Sequence, residues 1–291
     1  MRHALVFGAT GQIGFPLLGL LRSDGWRVTA LSRSEQSDEP GLEWRRGELP
    51  TARGLPTRAD AIFSCGPLDG FANWYATSRI ECPRVIAFGS TSVEVKRGSA
   101  DAAERDVARR LREGEETVFA ATAERGASAT LLRPTLIYGA GRDATLTRIA
   151  DLASRWGRFP LPRGANGLRQ PVHADDLAAA AFACANTPAT SGQTYALPGG
   201  ETLTYREMVA RVLACLTPPP KLIELPSPVF NAALFVAQLT GRATGLGEAA
   251  VRRMRSDLTF DMGPAHRDFG YAPRAFRPRA QMFQPRGSEE G

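Results

Sequence analysis

Short apolar runs alternate with longer stretches of helical spacing through the first two-thirds of the chain. Ala4-Leu5-Val6-Phe7 is apolar at every position, the pattern of a strand covered on both faces. It stops at Gly8, and Phe15, Leu17, Leu18, Leu20 and Leu21 follow at the spacing of a helix. Further strands are predicted at Trp26–Leu31, Leu42–Leu49, Ala61–Cys65 and Arg84–Phe88. A sixth is predicted at Ala129–Arg133, running on to Tyr138-Gly139. Gly66-Pro67 and Gly89-Ser90-Thr91-Ser92 end two of them, and an Ala/Arg/Glu-rich helix is predicted at about 101–124. This alternation implies an α/β fold with a doubly wound parallel sheet.

Beyond that point helical patterns dominate. Thr145–Trp156 and the alanine-rich Asp175–Cys184 read as helices, the second with acids in its first turn, where the helix dipole favours them. Thr204–Leu216 is amphipathic with Thr202 or Thr204 as its cap, and Pro218-Pro219-Pro220 breaks it. Two more helices are predicted at 228–240 and 247–256. Phe230, Leu234, Phe235 and Leu239 mark an apolar face that packs the core, closes a pocket or meets a partner. The polar tail is expected to be disordered over 287–291.

A chain of 291 residues with 43% hydrophobic content can build one large α/β domain with a smaller lobe. No apolar run approaches the ~20 residues of a membrane span, and the apolar part of the opening is too short for a signal peptide. Cys65, Cys82, Cys184 and Cys215 lie far apart and, like His3, His173 and His266, show no metal-ligand spacing. The thiols read as reduced, which places the protein in the cytoplasm. The net charge of +6 comes from scattered arginines interleaved with acids, and no nucleic-acid motif accompanies them. That balance suits an anionic dinucleotide or an acidic small-molecule substrate and leaves the oligomeric state undetermined.

The candidate chemistry begins at Gly8-Ala9-Thr10-Gly11-Gln12-Ile13-Gly14, between the first strand and the first helix. Gly8 permits the sharp turn, Gly11 lets a pyrophosphate approach the backbone, and Gly14 lets helix pack on strand. The free N–H groups and dipole at the helix start bind phosphate. The second strand ends in Ser32-Arg33-Ser34, with no acid before Glu35 to accept from a ribose 2′-hydroxyl. Ser32 and Arg33 suit a 2′-phosphate instead, so NADP(H) is expected ahead of NAD(H). In an open sheet ligands gather at the carboxyl ends of the strands, which adds Cys65, Gly66, Pro67, Ser90, Thr91 and Pro134 to the site.

Several separate segments together resemble the extended and atypical short-chain dehydrogenases/reductases, the NAD(P)-dependent epimerase/dehydratase-like group. They are GATGQIG, Gly47-Glu48-Leu49, the Ser90-Thr91-Ser92 turn, LRPTLIYG at 132–139, PVHADDLA at 171–178 and DFGYAPR at 268–274. The resemblance implies a Rossmann-type dinucleotide-binding domain over 1–140 and 171–198. A mostly helical substrate lobe would take 141–170 and 199–286. It also implies that Gly47, Glu48 and Leu49 lie beside the adenine and that Tyr138 lines the nicotinamide or substrate side.

One departure matters for function. Redox members of the family carry Tyr-x-x-x-Lys on the helix after the fifth strand, and none of Tyr75, Tyr138, Tyr195, Tyr205 and Tyr271 has Lys four residues later. Aligning Glu116 with the acid that follows the motif puts Ala108 at the Tyr position and Arg112 at the Lys position, where Arg112 can still meet cofactor. Thr91 and Tyr138 remain as candidate catalytic groups. Two functions follow: an NADP(H)-dependent oxidoreductase or epimerase acting on a small hydroxyl or carbonyl compound, or a redox-inactive NADP(H)-binding sensor or accessory protein.

Overall fold

The computed structural model describes residues 1–143, 145–239 and 248–284, with side chains described outside 236–250. The last residue of the helix expected at 228–240, the first of that at 247–256, the side chain of Leu239 and the tail lie outside the described residues.

In chain order the strands are β1 (His3–Phe7), β2 (Arg27–Ser32), β3 (Leu42–Arg46), β4 (Ala61–Ser64), β5 (Arg84–Phe88), β6 (Ser128–Pro134) and β7 (Ile137–Tyr138). They continue with β8 (Arg158–Pro162), β9 (Leu168–Arg169), β10 (Val172–His173), β11 (Thr194–Leu197), β12 (Leu203–Thr204) and β13 (Lys221–Leu225). The helices are α1 (Gly14–Ser23), α2 (Leu68–Thr77), α3 (Ser92–Val95), α4 (Ala102–Glu124) and α5 (Leu146–Trp156). They are followed by α6 (Ala174–Asn186), α7 (Tyr205–Ala214), α8 (Ser227–Leu239), α9 (Glu248–Arg253) and α10 (Gly263–Phe269).

The chain divides into two compact units. The first comprises Met1–Thr135, Ala174–Pro198 and Asp261–Pro273. It is built on a seven-stranded sheet of order β11-β6-β5-β4-β1-β2-β3, every pairing parallel. The α/β doubly wound reading therefore holds. Parallel strands are covered on both faces, which is why β1, β4 and β5 are buried along their whole length. One face packs Phe7, Leu31, Ile62, Val85 and Leu131 against Leu68, Phe71, Trp74 and Tyr75 of α2. The rings of Phe7 and Trp74 lie 4.5 Å apart, and Phe71 stacks on Tyr75 at 5.7 Å.

Several boundaries differ from the sequence expectation. The third strand stops at Arg46, and its last ladder bond is the Gly47 amide donating to the Ser32 carbonyl (2.9 Å). The sixth strand stops at Pro134. Ile137 and Tyr138 pair instead with Val172 and His173, so residues 136–140 and 171–173, expected with the dinucleotide domain, belong to the second unit. Conversely, Asp261–Pro273, expected in the substrate lobe, belongs to the first. Tyr195 donates to Asp268 (2.6 Å) and meets the Phe269 ring at 5.2 Å, and Tyr271 donates to the Pro198 carbonyl (2.8 Å).

The second unit comprises Leu136–His173, Gly199–Phe260 and Arg274 onward. Its core gathers Tyr138, Leu146, Ile149, Met208, Val212 and Phe276. Thr204, not Thr202, caps α7: its hydroxyl accepts from the Glu207 amide (3.1 Å), and the Glu207 carboxylate accepts from the Thr204 amide (2.8 Å). β8 pairs in parallel with β13, and α8 packs against β8.

The Tyr195–Asp268 bond is a charge-assisted tie between β11 and α10. Tyr195→Phe is expected to lower the unfolding free energy by about 1.5–3 kcal/mol, read as a lower urea midpoint at unchanged slope.

Candidate functional site

The candidate site is built at the carboxyl ends of β1, β2, β4, β5 and β6. At its centre the glycines are held by backbone contact. A Cβ on Gly8, which has φ +70°, would stand 2.8 Å from the Cys65 carbonyl carbon and the Gly66 nitrogen. One on Gly11 would stand 2.9 Å from the Gly8 oxygen, and one on Gly14 would overlap that same oxygen. The Gly11 amide closes the turn on the Gly8 carbonyl (2.9 Å). No side chain caps α1. The Phe15 amide donates to the Gly11 carbonyl (3.0 Å) and Pro16 has no N–H, so the helix start offers a ligand its dipole and the loop amides before Phe15. Beside them the Gln12 Oε1 is buried without a hydrogen-bond partner. A loop with room for no side chain, an uncapped helix end and an orphan acceptor that suits a ribose hydroxyl donor fit a dinucleotide. Thr10 and Ile13 complete the loop, with Ile13 at the cap position.

At the end of β2, Ser32 is buried, and its hydroxyl oxygen accepts from the Ser34 amide (3.2 Å). Arg33 is exposed, and its guanidinium has no partner among the described residues. The sheet register sets Arg46 of β3 directly opposite Ser32. Arg46 is likewise exposed and unpaired among the described residues, whereas its neighbour Arg45 is bound to Glu43. The sequence reading had passed over Arg46, because only the register of two strands far apart in sequence brings it to this corner. Gly47 and Glu48 follow, Glu48 exposed, while Leu49 packs onto the core cluster and against Gly70 of α2. At the end of β4 the carbonyl of Cys65 presses on Gly8, and Pro67 stands at the cap position of α2. Desolvation pushes the Cys65 thiol up to about 12, so it is no thiolate nucleophile.

The candidate catalytic groups fare differently from expectation. Thr91 is buried and donates its hydroxyl proton to the Pro134 carbonyl (3.1 Å), which also accepts from the Thr91 amide (3.2 Å). Thr91 thus pins β5 to β6 and has no proton left for a substrate oxygen. Ser90 is partly exposed; its oxygen accepts from the Ser92 amide (3.1 Å), and its own proton remains unassigned. Tyr138 is 1% exposed, with the rings of His173 and Phe276 edge-on at 5.0 and 4.9 Å, and lies in the core of the second unit rather than on an open face.

On α4 the acid turned toward the sheet is Glu115, which is 5% exposed, and not Glu116. Glu115 holds Arg133 through two hydrogen bonds, and Glu94 binds the same guanidinium at 2.8 Å. Those carboxylates hold the Arg133 guanidinium above its ordinary value. Ala108 is buried, while Arg112 is exposed and lines a cavity of about 690 Å³ with Glu94, Arg97, Glu116 and Arg133. Arg112 thus faces this cavity along α4. Among the described residues no group of His, Cys, Asp and Glu could hold a metal ion, and no helix is long and apolar enough to cross a membrane.

Comparison with known proteins agrees with this geometry. UDP-glucuronic acid 4-epimerase from Bacillus cereus, solved with NAD, superposes with a TM-score of 0.71, covering 97% of each chain at 11% identity. The chain has the fold of the NAD(P)-dependent epimerase/dehydratase-like short-chain dehydrogenases. A 2-alkyl-3-oxoalkanoate reductase of Stenotrophomonas maltophilia is 31% identical over 174 residues, 55% of this chain and 51% of the relative. A ceramide reductase of Caulobacter vibrioides is 27% identical over 265 residues, 84% of this chain and 82% of the relative. Several other curated relatives are matched over only about half their length or less, from 37% to 51%. No protein-family model matches the chain.

Because Thr91 spends its hydroxyl on Pro134, Thr91→Val should cost about 1 kcal/mol of stability by chemical denaturation. Ser90→Ala, which loses only the bond accepted from the Ser92 amide at the edge of solvent, should cost less than Thr91→Val in the same measurement.

Proposed function

We propose that the first unit binds a nicotinamide dinucleotide, NADP(H) ahead of NAD(H), and that the chain is an oxidoreductase or epimerase acting on a small hydroxyl or carbonyl compound. The observation that carries this reading is the start of α1, an uncapped helix end reached through three glycines whose Cβ positions are taken by backbone. The names of the two matched reductases support the carbonyl alternative.

The bound dinucleotide would supply hydride transfer. The chain supplies the binding. Amides at the start of α1 hold the pyrophosphate. Arg33 and Arg46, neither with a carboxylate partner among the described residues, meet the 2′-phosphate from the ends of β2 and β3. Gly47 and Glu48 flank the adenine. Near the nicotinamide end, Ser90 donates its hydroxyl proton to the reacting oxygen and so orients it, the role Thr91 cannot fill.

A second reading is supported by α4. With Ala108 and an exposed Arg112 at the aligned positions and Tyr138 buried, the usual proton donor has no substitute on that helix. On this reading the chain holds NADP(H) as a sensor or accessory protein. NADPH oxidation coupled to any member of a carbonyl panel decides for the enzyme. Tight NADPH binding with no turnover decides for the sensor.

Cofactor choice has its own test. Arg33→Ala should weaken NADPH binding about tenfold or more, since a charge-assisted contact contributes roughly 1.5–3 kcal/mol, and Arg46→Ala should do the same. NADH binding should change much less. Equal losses for both cofactors would mean that the arginines act through the fold. Gly11→Asp should abolish binding of both cofactors while the far-ultraviolet spectrum is retained.

A further inference from the structure

α8 is a surface helix without a single charged residue: Ser-Pro-Val-Phe-Asn-Ala-Ala-Leu-Phe-Val-Ala-Gln-Leu. Of its described apolar side chains, Phe230 is buried and Leu234 half-buried. Pro228, Val229, Ala232, Ala233 and Phe235 are exposed, Val229 by 52% and Phe235 by 60%, and Asn231 is the one polar residue among them. A water-facing helix normally carries charges on that side. A contiguous apolar face of this kind marks an interaction surface.

The surroundings of α8 indicate what covers it. Residues 225–247 contain no acid, and residues 152–174 contain Arg155, Arg158, Arg163 and Arg169 and no acid either. The nearest preceding acid, Glu224, is bound to Arg206. The first residue of α8 is held by a cation, since Arg255 donates to the Ser227 hydroxyl oxygen (2.6 Å) and also to the Arg163 carbonyl (3.3 Å). At the far end of the strand pair beneath the helix, Arg158 stands opposite Lys221, both exposed. Trp156, 47% exposed, stands two residues before Arg158. An uncharged apolar helix packed on a strand flanked by the exposed Arg158 and Arg163, with an exposed indole two residues before that strand, is the chemistry of a face that lies in a bilayer interface.

We propose that this face of the second unit docks the protein on an anionic lipid surface, with Val229 and Phe235 entering the interface and Arg158, Arg163 and Lys221 meeting the headgroups. Nothing in the helix spans the bilayer. Its apolar residues supply the depth, and the arginines supply the preference for negative charge.

The test uses the full chain and two kinds of vesicle, phosphatidylcholine alone and an equimolar mixture with phosphatidylglycerol. The protein should float with the mixed vesicles, much less with the neutral ones, and raised salt should release it. Arg158→Gln and Arg163→Gln should each weaken binding about fivefold. The double substitution Val229→Ser with Phe235→Ser should weaken it at least as much as both arginine changes together, at an unchanged urea midpoint. Should that variant fold poorly, quenching of wild-type fluorescence by brominated lipid, lost in Trp156→Phe, reads the same contact. Failure to float with mixed vesicles, or flotation indifferent to the serine substitutions, overturns the proposal. So does a concentration-dependent rise in mass that those substitutions abolish, because the face would then belong to a second copy of the chain.

Discussion

The first unit is organised around one steric constraint, the approach of backbone to backbone at Gly8. The end of β4 presses the Cys65–Gly66 peptide onto Gly8 from one side, and the start of α1 presses Gly14 onto the Gly8 carbonyl from the other. A side chain on Gly14 would part the helix from the strand, and one on Gly8 would push the end of β4 away. The consequence reaches beyond packing. Because the helix begins so close to the strand, it starts without a side-chain cap, and the positive end of its dipole faces the loop.

The strand ends then divide the labour around that opening. β3 sets Arg46 opposite Ser32 and Arg33 follows directly after Ser32 at the end of β2, neither guanidinium having a partner among the described residues. β5 and β6 are joined by Thr91, whose hydroxyl closes the gap to Pro134, while the Ser90 hydroxyl accepts from the Ser92 amide and keeps its own proton unassigned. α4 contributes a buried carboxylate, but that carboxylate is engaged by Arg133. The site is well equipped to hold an anion and sparing in groups that move protons.

Much of this was legible in the sequence where the cause is local. The glycine loop follows from three residues in one turn, and the strand expected at Arg84–Phe88 has those bounds in the structure. What escaped depends on partners distant in sequence. β11 is a four-residue strand whose identity comes from pairing with β6. Arg46 enters the site only through register. Thr91 was the best match to a reacting hydroxyl until the position of Pro134 assigned its proton. Tyr138 follows an apolar run that looked continuous, but Pro134 ends the strand and the ring turns into another core. α2 was legible and overlooked: Leu68, Phe71, Ala72, Trp74 and Tyr75 already show helical spacing after Pro67.

Arg84 carries a consequence for the order of assembly. Its guanidinium, buried at the start of β5, donates to the hydroxyls of Ser128, Thr130, Thr190 and Ser191 and to the Cys184 carbonyl. The last three partners lie 100 to 107 residues further along the chain. Until that distant segment arrives, the cation has only β6 to bind, and β6 has an open edge. The glycine loop needs only the first 66 residues to make its backbone contacts. During synthesis the glycine loop can therefore form early, while the opposite edge of the same sheet waits until all of the second unit's first segment, Leu136–His173, has emerged. Slow steps in maturation and the hazard of edge-to-edge pairing both concentrate at β6, at the far side of the molecule's sheet from its Arg33–Arg46 corner.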